Sequence, residues 1–259
     1  FNGSTNYILT KVFEEKKSYL EGLRAAQELG FAESDPSLDV EAFDPKFKLT
    51  IAIAHTFGVF VEPQEIINIG IQKISALDLK YAQENKLTIK LVARAYKVNG
   101  KVIGFVAPQY IPADHMLASV RNEYNAVLVE GAFAEKQVFI GKGAGSYPTG
   151  SAVLSDISAL TFDYRYEYKK YTQNDGLSFS NEALVDVIIS FPEGTLISHR
   201  DFVNFKGGYH GSGHQYLHGS VRLEKLKEWS EWDEVSVILA PEVNLVTEGA
   251  KPAVERLSA

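Results

Sequence analysis

The chain has no cysteine, one methionine and two tryptophans in 259 residues. The missing thiols exclude disulfides, thiolate metal sites and cysteine nucleophiles together, and permit a reducing compartment. Basic residues are also short: 26 Lys and Arg stand against 33 Asp and Glu, a net charge of −7. Nucleic-acid binding wants a basic stripe to neutralise phosphates, so no nucleic-acid partner is expected. No apolar run approaches the roughly 20 residues that span a bilayer, and the first residues lack the basic-then-apolar pattern of a secretory leader. A cytoplasmic protein without a membrane partner is the expectation. What remains is ordinary globular composition, 45% hydrophobic and 23% charged, in a chain long enough for one large domain or two small ones.

Apolar residues at 3–4 spacing predict helices from Thr5 to about Glu15 and from Leu20 to about Leu29. Ser18 and Glu21 form a capping box for the second, and Gly30 stands where a C′ stop belongs. A helix from Pro45 to about Phe57, a short one at Pro63 and another over 76–85 follow. Leu87–Val98 alternates in polarity, and Asn99-Gly100 is a type I′ hairpin signal leading to a partner strand, Val102–Pro108. Strands near 126–132 and 136–141 precede a glycine turn and a helix after Pro148. This order predicts an α+β fold, a mixed β-sheet with helices packed on one face. A boundary falls between about 165 and 181, where Tyr164, Tyr166, Tyr168 and Tyr171 read as a half-buried strand or linker, followed by a loop at 172–176. A first domain over 1–170 and a small C-terminal α+β domain over 181–259 result. The second has strands at Ala183–Phe191 and Glu234–Leu239 and a helix at Val221–Trp229.

Residues 30–48 concentrate chemistry. Glu33, Asp35, Asp39, Glu41 and Asp44 gather around a turn, and Asp44-Pro45 then opens a helix. A proline at the first helical position makes Asp44 a natural N-cap, and Lys48 lies four residues on, on the same face. Two readings fit these residue types: a capped helix behind a solvated acidic loop, or a lysine among carboxylates that moves a proton for an amine-bearing substrate. His210, His214 and His218 are spaced by four, but Gly211, Ser212 and Gly213 break any helix there. A loop or hairpin is expected, with no metal site.

Three motifs in order resemble homoserine dehydrogenases. Asn2-Gly3-Ser4-Thr5-Asn6-Tyr7-Ile8-Leu9 is similar to the family's Asn-Gly-Thr-Thr-Asn-Tyr-Ile-Leu segment. Gly30 to Lys48 is similar to its Gly-aromatic-x-Glu-x-Asp-Pro segment, which runs through Asp-x-x-Gly-x-Asp to a helical Lys. Gly141-Lys142-Gly143-Ala144-Gly145, continuing to Pro148-Thr149 and Asp156, is similar to its glycine motif. The departures are Ala42 for Gly, Phe31 for the common Tyr, and Ser4 for Thr.

The resemblance implies interconversion of L-homoserine and L-aspartate 4-semialdehyde with NAD or NADP, in threonine and methionine biosynthesis. It implies Lys48 as the proton-transfer group, with Asp39 organising the loop or relaying protons. Glu33 and Asp44 would grip the substrate ammonium, Ser4 would face substrate or nicotinamide, and Gly143 and Ala144 would let backbone approach the cofactor. It also implies a homodimer and a small-molecule substrate. The family's Rossmann domain precedes this point and no Gly-x-Gly-x-x-Gly turn occurs here, so the chain is expected to be a piece, inactive alone, with the cofactor held mainly upstream. The ligands of the family's monovalent-cation site would also lie upstream. The C-terminal unit matches a regulatory ACT pattern only in a strand followed by Pro192 and Gly194. The competing reading is an interaction or regulatory module that kept the fold without catalysis.

Overall fold

The computed structural model describes residues 1–242 apart from Tyr168, Asp175 and Ser212. The parts of the expected tyrosine segment, loop and histidine turn that fall on those three residues lie outside the described residues, as do 243–259 of the C-terminal unit.

Helix α1 (Gly3–Glu14) is capped by Asn2, whose Oδ1 accepts from Thr5 N at 2.8 Å. Helix α2 (Tyr19–Glu28) opens on the capping box read from Ser18 and Glu21. It closes at Gly30, φ +73°, where Phe31 N donates back to Ala26 O at 2.8 Å. A single turn, α3 (Ser37–Val40), leads through Ala42 into α4 (Phe43–Phe57). Here the sequence reading is corrected. Asp44 is not the N-cap and Pro45 is not the first helical residue, because Ala42 takes the left-handed conformation (φ +67°) and the helix starts at Phe43. The family's glycine turn is thus kept with an alanine, its methyl fully buried.

A two-residue strand, β1 (Ile67–Asn68), and α5 (Ala76–Glu84) precede the long hairpin of β2 (Leu87–Val98) and β3 (Lys101–Pro112). Asn99 and Gly100 between them both have positive φ, +48° and +76°, as a type I′ turn requires. The pair β4 (Tyr124–Gly131) and β5 (Glu135–Lys142) forms its own two-stranded sheet, followed by α6 (Ser146–Leu160). Then come β6 (Ser178–Phe179), β7 (Leu184–Pro192), β8 (Asn204–His210), β9 (His214–Arg222), α7 (Leu223–Glu231) and β10 (Ser236–Leu239). His210 ends β8, His214 opens β9 and His218 lies inside β9, and no cluster of metal-ligating side chains occurs among the described residues.

The main sheet is mixed and eight-stranded, in the order β1-β3-β10-β7-β9-β8, with β2 and β6 also paired to β3. The C-terminal strands extend the same sheet, since β10 pairs in parallel with β3 at Leu239↔Gln109. Successive β3 residues point to opposite faces. Val102 and Val106 pack with Leu49 and Ile53 of α4. Ile103, Phe105 and Ala107 pack with Leu223, Leu226 and Trp229 of α7, so α7 adds a helix on the opposite face. Among its described residues the tyrosine segment forms no strand. Tyr164, Tyr166 and Tyr171 are more than half exposed, and Tyr166 and Tyr171 turn their rings edge-on to His55 and Phe60. The segment meets the end of α4 rather than a sheet edge, so its alternation finds no partner strand.

Candidate active site

One asparagine assembles the acidic segment. Asn2 Nδ2 donates to Asp39 Oδ1 at 2.5 Å and to Asp44 Oδ2 at 2.9 Å, while its Oδ1 caps α1. Residues 37 and 42 positions apart are thereby tied to one side chain. Asp44 Oδ2 also takes an ion pair from Lys48 Nζ at 2.8 Å, and Lys48 donates to Phe1 O at 3.1 Å. The i, i+4 spacing read from the sequence produces this pair. Asp39, Asp44 and Lys48 therefore form one hydrogen-bonded cluster, half open to solvent. Asn2, which gathers this cluster, has only its Asn-x-x-Thr spacing at a helix start as a local signal, and that signal marks the cap and not the carboxylates.

Glu33 does not join this cluster. It is exposed, and among the described residues its carboxylate makes no hydrogen bond or ion pair with Asp39, Asp44 or Lys48. Its backbone oxygen instead accepts from Gln27 Nε2 at 2.9 Å. Ser4, expected to face substrate or nicotinamide, is buried, and its hydroxyl donates to Phe31 O. That bond fixes where the acidic segment leaves α2, so Ser4 shapes the loop rather than opening to a ligand.

Lys46 contrasts with Lys48. It is 7% exposed, donates to Asn68 Oδ1 at 2.8 Å and lies 4.5 Å from the centre of the Phe43 ring. Burial first, and the charge of Lys227 second, push its pKa below the ordinary lysine value. Asn68 in turn donates to Glu41 O at 2.7 Å, so this buried lysine braces the α3–α4 junction from behind.

The glycine motif forms the turn into α6, with Gly145 at the N-cap (φ +105°) and no side-chain capping bond. The first amides of this 15-residue helix are free of side-chain caps, a setting that suits an anionic group such as a phosphate. A Cβ on Gly141 would meet nothing within 4 Å, whereas one on Gly143 would lie 1.9 Å from Asn125 Nδ2. The Asn125 side chain therefore lies against the Gly143 backbone, and Ala144 is exposed beside it. A groove of about 670 Å³ starts at Phe1 and Asn2 and runs along β2 to Tyr124 and Asn125.

The arrangement defines an α+β domain with an acid–ammonium cluster and a glycine turn as its chemical features. The chain belongs to the homoserine dehydrogenase family, whose sequence profile matches residues 1–158. It is 40% identical over 164 residues to the homoserine dehydrogenase of Bacillus subtilis, covering 63% of this chain and 38% of that protein. The chain thus spans well under half the length of that relative. The homoserine dehydrogenase structure from Thiobacillus denitrificans superposes with a TM-score of 0.72 at 27% identity, over 92% of this chain and 62% of that one. A hyperthermophilic archaeal homoserine dehydrogenase mutant in complex with NADPH matches at 30% identity and a TM-score of 0.52, over 63% of this chain and 46% of that one.

Proposed function

We propose that this chain is the substrate-binding and proton-transfer part of an NAD(P)-dependent homoserine dehydrogenase, which interconverts L-homoserine and L-aspartate 4-semialdehyde. The observation that carries this reading is the Asp39–Asn2–Asp44–Lys48 cluster within the matched family segment. A bound nicotinamide supplies or takes the hydride. The chain's own residues do the rest. As the aldehyde is reduced its oxygen gathers negative charge, and the Lys48 ammonium stabilises that charge and donates a proton from Nζ. Asp44 holds Lys48 in place and, with Glu33, offers carboxylates to the substrate ammonium. Asp39, fixed by Asn2, keeps the loop in register. Gly143 and Ala144 present backbone to the cofactor, NAD or NADP, most of which would be held by a nucleotide-binding part outside this chain.

The wider reading includes a cytoplasmic homodimer acting in threonine and methionine biosynthesis. The exposed apolar residues Val153, Leu154, Ile157 and Leu160 of α6 support a further domain packing there. Residues 181–259 would form a small regulatory unit. Its strand order β10-β7-β9-β8 supports an ACT-like arrangement in which the short 3-10 turn His199–Asp201 stands where a first helix would be.

The test is homoserine-dependent reduction of NAD(P)+ by the intact protein that carries this segment. Lys48→Ala should lower kcat by roughly 10²–10⁴-fold, with KM changed far less, because the proton is needed in the transition state. Glu33→Ala should raise KM for the amino acid as well. An intact protein that bound homoserine without turnover, or a Lys48→Ala variant with near-normal kcat, would return the acidic segment to a structural role and favour the interaction-module reading.

A further inference from the structure

Two polar residues outside the acid cluster have no part in the chemistry above. Asn6 lies one turn beyond Asn2 on α1. Its Nδ2 is within hydrogen-bonding distance of three carbonyl oxygens, Val120 at 3.2 Å, Asn122 at 2.9 Å and Tyr124 at 3.0 Å. Its Oδ1 accepts from Lys90 Nζ at 2.8 Å, and Lys90 also donates to Val120 O at 2.6 Å. Lys90 is 9% exposed and has no ion-pair partner among the described residues. A buried ammonium held only by neutral acceptors is costly. An apolar side chain of the same length would fill this space but leave Asn6 Oδ1 and Val120 O without this donor, so the lysine is there for those two bonds and not for packing alone.

What Lys90 and Asn6 hold is the 120–125 turn, and that turn touches both parts of the site. Toward α1, a Cβ on Gly3 would lie 2.9 Å from Glu123 O, and Asn122 N donates to Thr10 Oγ1 at 3.1 Å. Toward the glycine motif, Glu123 pairs with Lys142 at 2.7 Å, and Asn125 fills the space a Cβ on Gly143 would need. The same helix thus grips the carboxylates through its cap Asn2 and, through Asn6, the 120–125 turn that lies against the glycine motif. We propose that Lys90 and Asn6 are positioning residues that couple the Asn2-held carboxylates to the glycine turn, fixing the separation between the substrate-gripping and cofactor-facing groups. This deepens the proposed function and rests on that reading for the roles of the two ends.

Lys90 also offers a built-in probe. Burial foremost pushes its pKa down to about 8, against the pull of Glu14 and with the push of Arg121, two groups paired to each other at the surface of α1 and the turn. Nearby His115 titrates lower, burial pushing it below its ordinary value. Glu123 also titrates lower, held below the ordinary carboxylate range by the Lys142 hydrogen bond.

The decisive experiment is an NMR titration of this chain between pH 6.5 and 10, following Lys90 Cε, the Asn2 side-chain amide and the backbone amides of Gly143 and Ala144. All four should move with one midpoint near 8, as loss of the charge weakens the bonds to Asn6 and Val120. In Lys90→Met, the Asn2 and Gly143 signals should shift and lose that midpoint, and Lys90→Arg should recover the wild-type positions in part. In the intact enzyme Lys90→Met should lower kcat by roughly 10-fold while KM for the amino acid stays within about twofold, as misplacement rather than lost binding predicts. A Lys90 signal that titrates while Asn2 and Gly143 stay still would overturn the coupling. So would wild-type spectra of both segments in Lys90→Met. Should that variant not fold, the wild-type titration alone decides. Because the spectra need no turnover, absence of homoserine-dependent activity would sink the proposed function and leave the coupling measured.

Discussion

Two aspartate–lysine pairs in this molecule have nearly the same length and opposite surroundings. Asp44–Lys48 closes at 2.8 Å with side chains 31% and 47% exposed. Asp186–Lys206 closes at 2.7 Å with the aspartate 6% and the lysine 36% exposed. The second is a clasp: Asp186 on β7 also accepts from Ser220 on β9, and Lys206 reaches it from β8, so one carboxylate ties three strands. Burial works to raise the Asp186 pKa, yet the hydrogen bonds from Lys206 and Ser220 outweigh it and hold it below the ordinary range. The first pair contributes little to stability, because water screens it, and its openness leaves the ammonium accessible from solvent. Distance alone does not distinguish them; burial and the number of bonded partners do.

The comparison breaks most visibly in turnover. Lys48→Arg in the intact protein should restore little of the rate lost in Lys48→Ala, since guanidinium keeps its charge and holds its proton, with a pKa above about 12. Denaturant melts of Lys48→Ala should meanwhile shift the unfolding free energy by less than about 1 kcal/mol. Lys206→Met should do the reverse, leaving turnover intact and costing about 1–2 kcal/mol. That lies below the roughly 3–5 kcal/mol for breaking a fully buried pair, since Lys206 keeps a third of its surface in water.

Acid sharpens the contrast further. A carboxylate whose folded pKa is depressed contributes stability above its unfolded pKa, and the contribution is lost as pH falls through the folded value. The Asp186 share should therefore disappear below about pH 3.8, its ordinary value. Burial, then Lys206, lower the pKa of neighbouring His218, with Asp186 opposing. Since His218 stays neutral in the fold while the unfolded chain protonates, stability should also fall as pH drops just below 6.5, the ordinary histidine value. Urea melts across pH 7 to 3 should show both steps in the wild type, a smaller upper one in His218→Gln, where buried His115 still contributes, and a weakened lower step in Lys206→Met.

The smallest effect is expected at Ala42→Gly. Relief of the left-handed backbone is worth about 1–2 kcal/mol. The lost buried methyl costs about 0.8 kcal/mol, and the freer unfolded chain about 0.4–1 kcal/mol. The net change should stay within about 1 kcal/mol; a larger loss of stability would mean that the methyl, packed beside Leu49 and Val59, matters more than the backbone.

Elements set by adjacent residues were legible. The Ser18–Glu21 box, the Gly30 stop and the Asn99-Gly100 hairpin all act over three or four residues, and each was read before the structure. Strands β8 and β9 were not. A bulge between Phe205 and Gly207 breaks the alternation of β8, and Gly208 is glycine because a Cβ would lie 2.7 Å from Leu217 and Tyr216. The N-terminal boundary of α4 was misread because proline is common at the first helical position, whereas here it is the third. In the site, the Asp44–Lys48 spacing was visible as i, i+4. The cluster partners of Asn2, Asn6 and Lys90 were not, because they lie 30 to 118 residues away and no local pattern encodes such pairing.

Strand β3 takes β2 along one edge and three separate pieces along the other: β6 at Lys101–Val102, β1 at Phe105–Val106 and β10 at Gln109. The hairpin edge closes through a two-residue turn and can form early. The mosaic edge closes in stages: β1 is made before β3, β6 follows about 75 residues on, and β10 reaches Gln109 only about 130 residues later. While the chain emerges from the ribosome, the middle of the sheet therefore waits with unpaired backbone groups, the situation in which nascent chains pair with the wrong strand or with each other. Any shortening of the chain before Leu239 leaves that edge open for good, so expression of such truncations should end in inclusion bodies rather than in a smaller folded protein.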